Sequence, residues 1–199
     1  RLGMGANEAE ARALVRRGRM DGTADAVLAA VHAHWRHLLG VVRVETPEPA
    51  LDVLANGWLL YQTIASRMWA RSGYYQSGGA IGFRDQLQDS MALQHAAPAM
   101  ARSQLLVCAA HQFVEGDVQH WWHPPTERGV RTACSDDYLW LPLAASRYVA
   151  CSGDGAVLHE RIEYIEGRAL RAGEESSYDL PRPSGIGATL YTHCVQAIE

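Results

Sequence analysis

Apolar residues recur every three or four positions along most of the chain, a spacing that lines up one face of a helix and constrains the fold more than any other feature. Val27, Val31 and Trp35 mark such a face over residues 23–39. Leu54, Trp58, Tyr61, Ala65 and Met68 mark a longer one over residues 48–71, with Thr46 placed as its cap and Pro47 tolerated in its first turn. Val41 to Val44 reads as a short extended link between the two. The pattern predicts further helices over 83–96, from Pro98 to about Phe113, over about 136–152 after Ser135 as N-cap, and from Ile186 onward. Residues 173–185, rich in Ser, Pro and Gly, read as an exposed loop. About six helices with long loops between them predict an all-α chain of antiparallel helix pairs. The absence of a short internal repeat argues against a solenoid.

Composition narrows the function classes. A net charge of -4 leaves no nucleic-acid footprint, although all 18 basic residues are Arg. Cys108, Cys134, Cys151 and Cys194 form no C-x-x-C pair, so neither a disulfide framework nor a zinc site is expected, and reduced intracellular thiols fit better. No stretch approaches the roughly 20 apolar residues of a membrane helix, and no signal peptide is seen, so no membrane contact by this segment is expected. The chain starts at Arg1 and its final helical run is still in progress at Glu199, so residues 1–199 are expected to be one piece of a single larger domain, truncated at both ends.

Three clusters stand out. In Gly82-Phe83-Arg84-Asp85-Gln86-Leu87-Gln88-Asp89, Asp85 and Asp89 share a helix face, where like charges repel and need compensation from outside the helix. The cluster suits sugar hydroxyls, and it equally suits a solvated helix face; the Gly-rich run Ser72–Gly82 ahead of it favours close backbone approach to a ligand. In His120-Trp121-Trp122-His123-Pro124-Pro125, the paired Trp side chains suit stacking on sugar rings or anchoring a core. The two His lack a Cys or carboxylate in ligand register, which argues against a metal site. In Cys134-Ser135-Asp136-Asp137-Tyr138-Leu139-Trp140, adjacent carboxylates near aromatic side chains read either as a helix cap or as the source of a protonated acid, since both neighbours raise a carboxyl pKa.

Together, the run Tyr74-Tyr75-Gln76-Ser77-Gly78-Gly79-Ala80-Ile81-Gly82-Phe83-Arg84-Asp85-Gln86-Leu87-Gln88-Asp89, the run Glu115-Gly116-Asp117-Val118-Gln119-His120-Trp121-Trp122 and the run Ser135-Asp136-Asp137-Tyr138-Leu139-Trp140 resemble glycoside hydrolase family 94. Asn56-Gly57-Trp58-Leu59-Leu60-Tyr61-Gln62 points to the branch of that family found in cyclic β-1,2-glucan synthases. The resemblance implies an (α/α)6 toroid, here incomplete, and inverting phosphorolysis of a β-linked glucan, or its reverse, with α-glucose 1-phosphate as product. A free-standing β-1,2-oligoglucan or cellobiose-like phosphorylase and a non-catalytic carbohydrate-binding remnant are the alternatives. Phosphate is itself a charged nucleophile, so one protein acid suffices where an inverting hydrolase needs two carboxyl groups.

By the same resemblance Asp136 is the proton donor, with Asp137 one residue on as the alternative. Arg84 and Asp89 hold the donor glucosyl unit, and Asp85, Gln88 and Trp140 follow as further substrate contacts. Inorganic phosphate is the implied co-substrate, with no cofactor, no metal and no nucleic-acid partner. The implied location is the cytoplasm, or the cytoplasmic face of an inner membrane within a larger protein. Two departures matter. Ser77-Gly78-Gly79-Ala80 lacks the phosphate-binding Arg that several disaccharide phosphorylases carry there. The family's later Gly-Asp-Trp-Asn-Asp-Gly run, phosphate-binding His and Thr-Gly pair are absent, so part of the phosphate site is expected to lie outside this segment.

Overall fold

A computed structural model describes residues 5–69 and 79–199. Most of the Gly-rich run Ser72–Gly82 therefore lies outside the described residues. The chain divides into two units, residues 1–41 and 42–199.

The first unit holds α1 (Glu8–Arg19) and α2 (Thr23–Leu39). The apolar periodicity locates α2 at its observed bounds and misses α1, whose charged and small residues leave little apolar stripe. What makes α1 start is a cap: the Asn7 side chain accepts from Glu10 N at 3.0 Å, with acids in the first turn and Arg residues in the last.

The second unit opens with the long helical segment expected over 48–71. It runs as α3 (Pro49–Val53), a π-helical stretch Leu54–Trp58, α4 (Leu59–Gln62) and a second π-helical stretch Thr63–Trp69. The cap is Glu48, whose carboxylate accepts from Ala50 N, rather than Thr46, and the first-turn proline is Pro49 rather than Pro47. Helical geometry breaks at Asn56 and Gly57, and the Asn56 amide there clamps the preceding link, accepting from Val44 N (2.6 Å) and donating to Val44 O (2.8 Å).

Three helices form the core behind the site. These are α5 (Phe83–Met91), α6 (Pro98–Ala109) and α7 (Trp140–Ser152), packed mutually and joined by α8 (Leu190–Gln196). Phe83, Leu87, Ala101, Leu105, Cys108, Leu141, Ala144, Tyr148 and Leu190 are buried between them. Each large side chain there contributes about 1.5–3 kcal/mol by leaving water. All three helices are shorter than their apolar patterns predict. α5 gives way to turns at Ala92, and Ala97, restricted by Pro98, sits at φ -142° and ψ 60° just ahead of α6. α6 stops at Ala109 rather than near Phe113. α7 begins at Trp140 rather than at 136, because the Ser135–Leu139 stretch folds into turns, with Leu139 N donating to Asp136 O (3.2 Å) and Trp140 N to Asp137 O (3.3 Å). Ser135 is thus not its cap.

The expectation of an all-α chain is corrected by two antiparallel sheets. β1 (Ile81–Gly82), β2 (Gln119–His123), β3 (Arg128–Thr132) and β5 (Ser176–Asp179) form one, in the order β1-β2-β3-β5. β4 (Arg161–Glu166) and β6 (Arg182–Thr189) form the other, after a short 3-10 turn at Gly155–His159. The stretch read as an exposed loop over 173–185 is thus partly β5 and β6, and the last helix starts at Leu190 rather than Ile186. Register shifts in both ladders interrupt the alternation that would otherwise mark the strands.

The Glu115-Gly116-Asp117 part of the second motif is structural. Arg131, buried on β3, takes both Asp117 oxygens at 2.6 Å and Glu115 at 3.1 Å, and its guanidinium lies 3.9 Å from the centre of the Phe113 ring. Among the described residues no helix is long and apolar enough to cross a membrane.

Candidate functional site

β1 hydrogen-bonds to β2 with Gly82 opposite Trp121, and α5 begins at the next residue. The Asp85 carboxylate lies over this junction: a Cβ on Gly82 would fall 2.3 Å from it, so a larger residue here would have to push that side chain aside. Arg84 leaves the first turn of α5 and its Nη1 donates to Asp136 Oδ2 at 2.8 Å. This ion pair joins two motifs 52 residues apart, and it is half-exposed, with side chains 39% and 50% accessible. Cys134 Sγ donates to Asp136 Oδ1 at 2.9 Å, and the Trp140 side chain lies near enough to favour the ionised carboxylate further. Asp136, Arg84 and Trp140 therefore meet at one place.

The electrostatics differ from the expectation of a raised acid. The Cys134 hydrogen bond first, then the Arg84 partner, hold the Asp136 carboxyl at about 2, so it is ionised in this state. The neighbouring carboxylate, Asp137, lies close by but is itself paired with His120. Asp137 is 1% exposed and its Oδ2 accepts from His120 Nδ1 at 2.5 Å. His120 thus finds a carboxylate hydrogen-bond partner 17 residues away.

Asp89 pairs with Arg67 Nε at 2.6 Å, and the Arg67 carbonyl accepts from Gln86 Nε2 at 2.7 Å. Arg67 is the compensating charge that the Asp85 and Asp89 repulsion demanded. Burial lifts the Asp89 carboxyl above its ordinary value, with Arg67 opposing. Asp85 stays beside Gly82 in the first turn of α5, while Gln88 lies on the exposed side of that helix. It is Gln86, not Gln88, that the helix turns inward.

His120-Trp121-Trp122-His123 is strand rather than loop. Trp122 is a core anchor, stacked on His111 with ring centres 3.7 Å apart. Trp121 is partly exposed and lies beside Tyr178 of β5 at 5.6 Å, leaving an aromatic surface on the sheet. Cys134, Asp136 and Asp137 place potential ligand atoms within 4.8 Å of one another, with Arg84 and Cys134 on the Asp136 oxygens and His120 on one oxygen of Asp137.

Arg67, His120 and Cys134 are the site residues that motif reasoning did not assign. The only signals for them were the unpaired acids of α5 and the presence of His120 and Cys134 inside two of the motifs. Chemically, the arrangement offers a charged donor, an accessible carboxylate and a second, half-buried acid at the edge of a glycine-marked strand, a set suited to hydroxyl recognition and proton transfer.

The family model of the glycosyl hydrolase 94 superfamily, catalytic domain, matches residues 34–199. The chain is 45% identical over 198 residues to the cyclic beta-(1,2)-glucan synthase NdvB of Rhizobium meliloti (strain 1021), covering 100% of this chain and 7% of that protein. It is 30% identical over 183 residues to the N,N'-diacetylchitobiose phosphorylase of Vibrio proteolyticus, covering 78% of this chain and 22% of that protein. It is 26% identical over 156 residues to the solabiose phosphorylase of Paenibacillus borealis, covering 78% and 19%. The chain thus spans only between 7% and 22% of the length of these relatives. With the family match extending over most of its residues, the chain belongs to the glycosyl hydrolase 94 superfamily.

Proposed function

We propose that this chain supplies the proton donor and part of the donor sugar subsite of an inverting phosphorylase acting on β-linked glucan, most closely a β-1,2-glucan, within a cyclic glucan synthase. The observation that carries the reading is the Arg84 to Asp136 ion pair, which brings the sugar-binding and acid motifs together. The 45% identity over the whole chain favours glucan over the N-acetylated substrate named for the chitobiose phosphorylase. The helices form part of an (α/α)6 toroid. The four free thiols fit a reducing compartment, so the cytoplasmic face is the proposed location.

In this reading Arg84 and Asp89 hold hydroxyls of the glucosyl unit at the cleaved bond. A sugar that draws Arg84 away removes the cation from Asp136, and exclusion of water then favours its neutral form. Asp136 takes up a proton and delivers it to the glycosidic oxygen. Phosphate attacks the anomeric carbon from the opposite face, the bond to that oxygen breaks, and α-glucose 1-phosphate leaves.

Incubation of the full-length protein with β-1,2-glucan and phosphate is expected to release glucose 1-phosphate, and Asp136→Asn is expected to abolish it. Release from chitobiose but not from glucan would refute the substrate assignment. Full activity in Asp136→Asn would refute the acid assignment.

A further inference from the structure

His120 sits where the β2 and β3 ladder loses register. Gln119 faces Arg131 and Trp121 faces Val130, so His120 is the extra residue of a bulge. Bulges beside functional sites re-aim a side chain, and this one aims the imidazole at Asp137 (2.5 Å). Asp137 is buried, yet among the described residues its Oδ1 has no partner and its Oδ2 meets His120 and, at 3.5 Å, the Thr132 hydroxyl. The same hydroxyl accepts from Cys134 N at 3.3 Å. A buried carboxylate satisfied on one side is poor value for stability, because desolvation offsets much of what the pair contributes. It is well suited to orienting a turn. The turn it orients carries Asp136 as the preceding residue.

We propose that His120 and Asp137 form a positioning pair for the proton donor Asp136: they pin the turn that presents it and neutralise the carboxylate next to it. The proposal rests on Asp136 being the donor. The charged groups facing His120 are Asp137 on the turn and Arg84 and Asp85 on α5. The Asp137 hydrogen bond holds the His120 pKa above its ordinary value, so the imidazole keeps its positive charge to higher pH beside that carboxylate. Without that cation Asp136 has an uncompensated anion beside it, and its proton is held more tightly.

Three variants of the full-length protein test this, assayed for glucose 1-phosphate release from β-1,2-glucan over a range of pH. His120→Ala is expected to lower kcat by about 10–100-fold with little change in KM, since orientation and not sugar binding is lost. His120→Asn keeps a donor near the Nδ1 position but no charge. It is expected to recover most of that kcat and to move the alkaline limb of the kcat profile upward by about half a pH unit or more. Asp136→Asn is the control for the donor assignment. If His120→Ala does not fold, the profile of His120→Asn decides alone. An unshifted limb in His120→Asn, or a His120→Ala defect confined to KM, overturns the positioning role while an inactive Asp136→Asn leaves the donor assignment standing. An active Asp136→Asn overturns both.

Discussion

Burial lifts the Asp89 carboxyl while the Cys134 thiol and Arg84 hold Asp136 at about 2, so the two acids of the site differ by surroundings and not by residue type. Removing one cation should therefore act on one acid. In ligand-free protein, Arg84→Met is expected to raise the Asp136 pKa from about 2 toward the ordinary carboxylate value of about 3.9. Carboxyl-carbon NMR titration reads this directly, and an unmoved Asp136 resonance would show that Cys134 and Trp140 suffice. Arg67→Met should raise Asp89 further and cost about 1–3 kcal/mol, the usual penalty for stranding a partly buried hydrogen-bonded group. Urea unfolding measures that loss. These two cations illustrate what was legible at this scale. Arg84 lies inside a motif and was identified there. The need for Arg67 was legible in the repulsion between Asp85 and Asp89, but its position, 22 residues before Asp89 on another helix, depends on packing that no local pattern encodes.

Strands are where the sequence misleads about elements. Ile162 and Tyr164 alternate with Arg161 and Glu163, a period-two signal, but the register shift between Glu163 and Ile165 ends it after four residues. β6 is largely exposed and rich in Gly, Pro and Ser, so it shows no apolar face at all. β3 approaches β2 so closely that a Cβ on Gly129 would lie 2.2 Å from the Trp121 carbonyl oxygen. Gly129→Ala should therefore cost about 1–3 kcal/mol through forced backbone shifts, measured as a lower urea midpoint with the α5 to α7 core intact. The packing of α8 on the second sheet adds a pH response. His193 is buried, held by Gln112 Oε1 at 2.7 Å and Ile162 O at 3.1 Å, and burial pulls its pKa below the ordinary 6.5. The unfolded chain then binds the proton more readily, so stability is full above about pH 6.5 and declines as the pH falls below it. His120 has the opposite sign: its raised pKa contributes stability below about 6.5 that is lost as the pH rises through the folded value. His193→Gln should flatten the acid side of a plot of urea midpoint against pH and leave the alkaline side unchanged.

At the scale of the molecule, the described residues bring Arg84 onto Asp136 and Arg67 onto Asp89, the acid and sugar contacts of the proposed function, whereas the phosphate-binding runs that the family resemblance leads one to expect do not occur in the sequence. The segment from Pro49 to Trp69 also leaves Leu51, Val53, Leu54, Trp58 and Leu59 exposed within nine residues, a density of exposed apolar side chains of the kind that marks a contact surface. Both observations bear on what these 199 residues do when expressed alone. Loss of phosphate-stabilising donors typically costs more than a hundredfold in kcat, so the isolated chain is expected to release glucose 1-phosphate at less than about 1% of the full-length rate. The apolar stretch is expected to drive self-association that sedimentation velocity detects. Leu54→Ser with Leu59→Ser should return the chain to monomer without restoring phosphorolysis, because solubility and phosphate binding are separate deficits. A monomeric double variant with near full-length activity would show that this segment holds a complete site, and that its phosphate ligands are residues other than those the family pattern leads one to seek.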